Sequence, residues 1–464
     1  MGAKYQPYPE YKDSAVEVIG DVPKSWVVGR LKQIVDQNRQ ITYGIVQAGP
    51  NKKGGIPYIR PADMTDEGGV KDYDGLLRTS PEIAADYERS KIKPGDIVCS
   101  IGPSFGKLMI TPETLDGANL TQGTARVAIS SAYNARYFFW ALRATSSFQQ
   151  WESSVGGATF RALNLGPLAD TFVVVPSNTE QEKIANFLDH ETAKIDTLIE
   201  KQQQLIKLLK EKRQAVISHA VTKGLNPNAP MRDSGVEWLG EVPEHWDVCR
   251  VKQITNFITS GPRGWSDYLS ENGENIFLQS GDLNNKLGLE LSGAKKVSPP
   301  NNAEGVRTKL ENGDVVVCIT GANTGRVAIT PELDGTVYIN QHLSLIRPIK
   351  SLMDSDYLGL VLSSSSVKSY FSVTQYGLKE GLSLSNVGEA PTCRPLLAEQ
   401  KEIVQYAKNA SDKYDDLESC AERQVVLLRE RRTALISAAV TGKIDVRNWQ
   451  APEPSDNQNK EVAI

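Results

Sequence analysis

Two short stretches hold the residues that first suggest chemistry. "GPSFGK" (Gly102 to Lys107) sets a lysine behind two glycines, the residue types of a loop that wraps phosphate groups. A nucleotide-binding P-loop needs four residues between those glycines and a Ser or Thr after the Lys to hold magnesium, whereas this stretch has three and then Leu108. The related "GANTGR" (Gly321 to Arg326) carries Arg in place of the Lys. Both follow a β-like run and precede "ITPE", so the spacing favours a glycine turn between strands whose basic tip could touch a phosphate backbone.

The other reactive residue types do not assemble into a catalytic pattern. His190, His219, His245 and His342 lack the HExxH or Cys/His spacing of a metal site. Asp63 and Asp282, and likewise Asp96 and Asp314, sit in turns where a carboxylate more commonly caps its own backbone. No second carboxylate is spaced to make an acid–base pair, and no GxGxxG or Asn-Pro-Pro-aromatic sequence offers a site for adenosylmethionine. Five widely spaced cysteines (Cys99, Cys249, Cys318, Cys393, Cys420) fit neither a disulfide framework nor a zinc site and suit a reducing compartment. The chain is expected to be non-catalytic, with no metal and no cofactor of its own.

Binding residues are easier to find. Polar and aromatic side chains concentrate in loops such as "ITYGIVQAGPNKKGG" and "ITSGPRGWSDYLSENGEN". Lys52, Lys53, Arg60 and Lys107 early in the chain, and Arg263, Lys286 and Arg326 later, are candidate phosphate contacts. Tyr43, Gln122, Trp265, Gln279 and Gln341 are candidate base readers. The formal net charge of −4 means that a nucleic-acid role must rest on local basic patches or on a partner's charge. With 40% hydrophobic and 23% charged residues, no apolar run long enough for a bilayer and no apolar leader, the chain is expected to be cytoplasmic and without a membrane span.

These loops belong to a scaffold that occurs twice. "DSAVEVIGDVPKSW" opens at Asp13 and "DSGVEWLGEVPEHW" at Asp233, with 13 identities in 22 positions as far as Ile34 and Ile254. "YIRPADM" (Tyr58 to Met64) faces "FLQSGDL" (Phe277 to Leu283), and "LLKEKRQAVISHAVT" (Leu208 to Thr222) faces "LLRERRTALISAAVT" (Leu427 to Thr441) with 10 of 15 identical. A period near 220 residues is a duplicated domain pair and not a solenoid. Each half reads as short β-rich runs broken by Gly and Pro, followed by one long helical arm. The expected partition is 1–176, a first globular domain; 177–224, a first long helix; 225–395, linker "KGLNPNAPMR" and second domain; 396–444, a second long helix; and 445–464, a polar tail.

The arms carry heptad-like apolar spacing: Leu188, Ile195, Leu198, Leu205, Leu209 and Val216 in the first, with Ala407, Tyr414, Leu417, Gln424, Leu428 and Leu435 matching in the second. Thr179 and Glu182 form a capping-box pattern at the first start, Ala398 replaces the Thr in the second, and the helices should end at Gly224 and near Gly442. From Thr179 to Thr222 an α-helix would run about 66 Å. Two such stripes in one chain most simply bury each other, and two-fold symmetry would pair them antiparallel.

At this point the chain resembles the specificity subunit of type I restriction-modification systems. The resemblance rests on the two openings, on "GDIVCSIGPSFGK" and "GDVVVCITGANTGR", on the stretch from "EQEKIANFLDHETAKIDTLIEKQQQ" to "HAVTKGL", and on the order domain, helix, domain, helix. It implies an α/β (α+β) fold of two target recognition domains related by pseudo-two-fold symmetry, with the two long helices paired as an antiparallel coiled coil. It also implies double-stranded DNA as ligand, read as a split asymmetric sequence, one half per domain. The implied partners are two modification (methyltransferase) subunits and, in the full complex, restriction (motor-nuclease) subunits, with S-adenosylmethionine, ATP and Mg held by those partners. Two other readings stay open: a coiled-coil scaffold that binds no nucleic acid, and a standalone nucleotide-binding enzyme using Gly102 to Lys107.

Overall fold

A computed structural model of the chain describes residues 5–155, 161–300, 303–375 and 381–451, so the polar tail from Pro452 onwards lies outside the described residues. The chain divides into two compact units. The first comprises Met1–Gln202 with Arg423–Ile464, the second Gln203–Glu422.

In the first unit the central strands are β-branched and apolar, and they form where burial on both faces rewards such residues. Ile97–Ser100 and Thr124–Val127 are buried along their whole length. They lie at the middle of a four-stranded antiparallel sheet, flanked by Leu108–Ile110 and Thr42–Tyr43. A smaller sheet joins Arg78–Thr79, Ile56–Ile59 and Asn119–Leu120, the last pair parallel. The second unit repeats this: Thr255–Ser260, Leu343–Pro348, Val315–Cys318 and Val327–Ile329 in one sheet, Lys295–Val297, Asn275–Leu278 and Val337–Ile339 in the other. "GPSFGK" and "GANTGR" are the hairpin turns of the larger sheets, closed by Gly106 N–H donating to Ser100 O (3.0 Å) and Gly325 N–H to Cys318 O (2.8 Å).

A short aromatic helix roofs the first core. Ala135–Leu142 is capped by Asn134, whose side chain accepts Tyr137 N–H at 3.0 Å, and it buries Tyr137, Phe138, Phe139 and Trp140 completely. Each such aromatic removes roughly 150–250 Å² from water, about 4–6 kcal/mol before ordering costs. The counterpart Ser355–Leu362 is capped by Asp354 at 3.1 Å and buries Tyr357, Leu358 and Leu362.

The arms are Asn178–Lys223 and Leu397–Val440. The first is capped two residues earlier than the sequence pattern suggested: Ser177 Oγ accepts Glu180 N–H at 3.4 Å, and Glu180 reaches back to Ser177 N–H and Oγ. Proline at 176 fixes its own φ and restricts the residue before it but not the one after, and the serine that follows takes the cap in place of Thr179. At the second start Leu396, 77% exposed, offers no side-chain acceptor. Within each unit the two arms run antiparallel. In the first, Ile184, Phe187 and Leu188 share a core with Ile436, Ala439 and Val440, and Asp196 accepts Arg432 Nε at 2.9 Å. In the second, Ile217, Ala220 and Val221 share one with Ile403, Val404 and Ala407, while Arg213 meets Asp415 (3.0 Å) and Lys210 meets Glu418 (2.8 Å).

The buried stripe is turned by one residue from part of the predicted one. Leu188, Ile195 and Leu209 are buried, and Val216, Tyr414, Leu428 and Leu435 half-buried. Leu198, Leu205 and Leu417 are 43–46% exposed; Ile199 and Ile206 are half-buried in place of the first two, and Glu418 beside Leu417 turns inward to Lys210.

The repeated openings explain their own sequence. Each forms a hairpin (Tyr11–Asp13 with Asp21–Pro23; Met231–Asp233 with Glu241–Pro243) and then buries its tryptophan. Trp26 Nε1 donates to Glu180 at 3.1 Å and Trp246 Nε1 to Glu399 at 3.0 Å, at the start of each domain's own arm. The same tryptophans cover the glycine that ends the opposite arm, Gly442 beside Trp26 and Gly224 beside Trp246. Each opening therefore ties the beginning of one arm to the end of the other.

Candidate nucleic-acid interface

Each unit gathers four loops at one end of its larger sheet. In the first, Gly44 N–H donates to Thr121 O (3.0 Å), Gln122 N–H to Ile45 O (2.9 Å), Ile101 N–H to Gly123 O (2.8 Å), and Lys107 Nζ reaches Pro61 O (3.5 Å). Tyr43, Arg60, Lys107 and Gln122 are thus brought together, with Tyr43 and Gln122 exposed. Only glycine fits at 44, since a Cβ there would lie 1.9 Å from Leu120 O.

The second unit builds the same cluster, keeping the glutamine and the basic tip and changing other side chains. A Cβ on Gly261 would lie 2.1 Å from Ile339 O, Asn340 N–H donates to Leu278 O (3.0 Å), and Ile319 N–H to His342 O (2.9 Å). Asn323 Nδ2 donates to Ser280 O (3.1 Å), and Arg326 to Leu283 O (2.9 Å). Exposed Arg263 and Gln341 sit on these loops, with Gln279 half-buried. Sequence reasoning passed over Asn323, Thr320 and His342, whose Nδ1 lies 2.5 Å from Thr320 Oγ1; the only hint was their place inside "CITGANTGR" and beside Gln341.

Four candidates lie elsewhere. Trp265, expected as a base reader, is buried against Phe277 and Tyr338, at ring distances of 6.0 and 5.4 Å. Lys286 turns to the arm, where Nζ meets Asp415 at 2.8 Å. Lys52 points towards Glu82 (3.9 Å) and with exposed Lys53 lines the loop against Arg78–Thr79, away from the four-loop cluster.

The repeated aspartates do cap turns, and their surroundings differ. Asp63 Oδ2 accepts Arg60 N–H (2.9 Å), and the Arg60 guanidinium grips both oxygens (2.9 and 2.7 Å). Burial opposes its ionisation, yet the Arg60 hydrogen bonds and charge hold Asp63 below the usual carboxylate value. At Asp282 the arginine is replaced by Gln279, leaving one backbone N–H at 2.7 Å, and burial pushes its carboxyl up. Asp96 and Asp314 cap Lys93 and Glu311 N–H, both at 2.7 Å, and are each held by a two-pronged arginine, Arg39 and Arg347. Burial also pushes the Cys99 thiol up to about 12 and Cys249 to about 11, the opposite of a nucleophile. Among the described residues no three His, Cys, Asp or Glu side chains are grouped to hold a metal, and no helix is long and apolar enough to cross a membrane. What the clusters offer is exposed amide, imidazole, phenol and guanidinium groups on rigid hairpin ends, a surface suited to hydrogen bonding with an extended polar ligand.

Residues 23–208 and 243–427 each match the type I restriction modification DNA specificity domain. The chain is 32% identical to the type I restriction enzyme EcoBI specificity subunit of Escherichia coli over 39% of its own length and 38% of that subunit's. To the EcoKI specificity subunit of Escherichia coli (strain K12) it is 22% identical, over 96% of this chain and 95% of that one. Its fold is shared with a solved chain from the complex assembly and conformational transition of the type I R-M system, at TM-score 0.68 and 16% identity, covering 91% of this chain and 99% of the other. With the same domain matched twice, each time running on into the arm that follows, the chain belongs to the family of type I restriction-modification DNA specificity subunits.

Proposed function

We propose that the chain reads a bipartite, asymmetric double-stranded DNA sequence, one four-loop cluster per half-site, within a type I restriction-modification complex. The carrying observation is that the two clusters have one backbone plan and keep a glutamine (Gln122, Gln341) and a basic residue (Lys107, Arg326), while Tyr43 gives way to Ser260, Arg60 to Gln279, Ser104 to Asn323 and Gly123 to His342. Identical scaffolds with divergent polar tips suit two half-sites of different sequence, because base edges are told apart by hydrogen-bond pattern. A pure scaffold protein would give no reason for that divergence.

In this reading 1–176 and 225–395 are the reading domains, and 177–224 and 396–444 the arms that set their spacing and dock two modification subunits. Restriction subunits join through these. Specificity subunits are non-catalytic, so S-adenosylmethionine, ATP and Mg belong to the partners, which also share the phosphate contacts that a net charge of −4 leaves to them. The complex would work in the cytoplasm.

Methylome sequencing of cells that express the chain with and without its modification subunit tests the proposal. A new split motif bearing methyladenine only when both are present supports it. No new motif, from a modification subunit active with another specificity partner, overturns it in favour of the scaffold.

A further inference from the structure

The two domain-to-arm seams use matching contacts at most positions. Asn134 N–H donates to Gln181 Oε1 (2.9 Å) in one unit and Asp354 N–H to Gln400 Oε1 (2.8 Å) in the other. The tryptophan on the arm's first glutamate recurs as described. Further along, a loop of each domain meets an arm Arg–Asp pair, and its charge is inverted: Glu67 on Arg432, Lys286 on Asp415. Because each seam sets an arginine of one arm beside an aspartate of the other, Arg432 with Asp196 and Arg213 with Asp415, either loop finds an opposite charge there.

Between these levels the two seams are incompatible. On the first arm Asp189 accepts Arg136 Nε at 2.7 Å and Trp140 Nε1 at 2.8 Å. The equivalent residue of the second arm is Lys408, whose Nζ lies 2.6 Å from Asp356 Oδ2, the residue matching Arg136. Leu360 stands where Trp140 stood, with no polar hydrogen to satisfy. Phe139 and Arg143 are likewise replaced by Gly359 and Ser363, and a cleft of about 1230 Å³, lined by Leu360, Ser363 and Lys408, opens between the second domain and its arm.

We propose that Asp189 and Lys408 are positioning residues that key each reading domain to its own arm, so that the unit able to change places in the chain is a domain plus about the first three turns of the following helix. Set against Lys408, the first domain would face Arg136 with an ammonium and leave the fully buried Trp140 without an acceptor. Set against Asp189, the second would oppose two carboxylates, Asp356 and Asp189. The pairs are 36–60% exposed, so each attraction is modest; discrimination comes from the mismatch, a like charge or an orphaned donor.

The test uses the full chain and a full-length chimera with residues 233–394 in place of 13–175. Asp189→Lys should lower the first thermal transition of the natural chain and raise that of the chimera, by a few degrees each. The same sign in both hosts overturns the key. Should the chimera not fold, the natural second seam supplies a cycle: Asp356→Lys and Lys408→Asp each destabilise, and the double variant should recover more than half of their summed loss. Additive losses overturn the proposal. Thermal unfolding reports on these seams whether or not the domains read DNA, so a failed seam test leaves the proposed DNA role standing.

Discussion

Trp246 donates its indole N–H to Glu399 at 3.0 Å across 153 residues, and Trp26 does the same to Glu180 at 3.1 Å. Both indoles are buried, and each bond goes to a carboxylate. Trp26→Phe or Trp246→Phe should therefore cost about 2–3 kcal/mol, seen as a transition roughly 5–10 °C lower for the affected unit. Differential scanning calorimetry decides; an unchanged profile would remove the openings as fasteners of the arms.

The glycines under those tryptophans should respond unequally. Gly442 and Gly224 both have left-handed φ, +74° and +76°, so alanine costs about 1–2 kcal/mol at either. A Cβ at 442 would also lie 2.3 Å from Pro23, whereas the nearest atom at 224 is 3.2 Å away on Trp246. Gly442→Ala should be the worse of the two by at least about 1 kcal/mol in denaturant unfolding.

Asp63 and Asp282 should titrate on opposite sides of 3.8, which NMR of the side-chain carboxyls can read. The sign for stability differs accordingly. The lowered value at Asp63 adds stability that is present above pH 3.8 and lost as pH falls through the folded value; the raised value at Asp282 is a cost that appears as pH rises above 3.8 and is relieved by acid. Arg60→Gln should move Asp63 upwards, towards the behaviour of Asp282.

Alanine substitutions locate the stripe between the arms. Ile195→Ala, at a buried position, should cost about 2–4 kcal/mol, and Leu198→Ala, at an exposed one, within about 0.5 kcal/mol. Comparable costs would contradict the observed frame.

Insertion of one heptad into each arm, after Gln203 and after Arg423, lengthens both by about 10 Å. At 3.4 Å per base pair this corresponds to about three base pairs. Methylome mapping of the variant should give the same half-sites with a longer spacer, and an unaltered spacer would end the role of the arms as a ruler.

Much of this was legible in the sequence because the chain supplies its own comparison. The repeat gave the arms, the duplicate sheets and the divergent loops. The register of the stripe was not legible: Leu198–Ile199 and Leu205–Ile206 place an apolar residue in either frame, and only the facing helix decides which is buried. Trp265 misled for a related reason, since an aromatic in a polar loop looks exposed until Phe277 and Tyr338 close over it. Lys286 passed for a phosphate contact because Asp415, its partner, lies 129 residues away. The inverted pair at Asp189 and Lys408 needed both the alignment of the halves and the faces of the helices.

The first unit is discontinuous in the chain, and this sets an order of assembly during synthesis. The second unit is one stretch, Gln203–Glu422, but the first is finished by Arg423 onwards. Ribosomes add about 5–20 residues per second, so the earlier-made domain waits roughly 10–45 s for the helix that carries Val440 O, an acceptor for the buried Tyr137 hydroxyl at 3.3 Å. Through that interval Phe187, Leu188 and Trp26 lack their cover of Ile436, Ala439 and Gly442. Of the two units, the one encoded first therefore closes only after the second has been made, and in a nascent chain the faces of Phe187, Leu188 and Trp26 stay uncovered until the stretch from Arg423 has emerged.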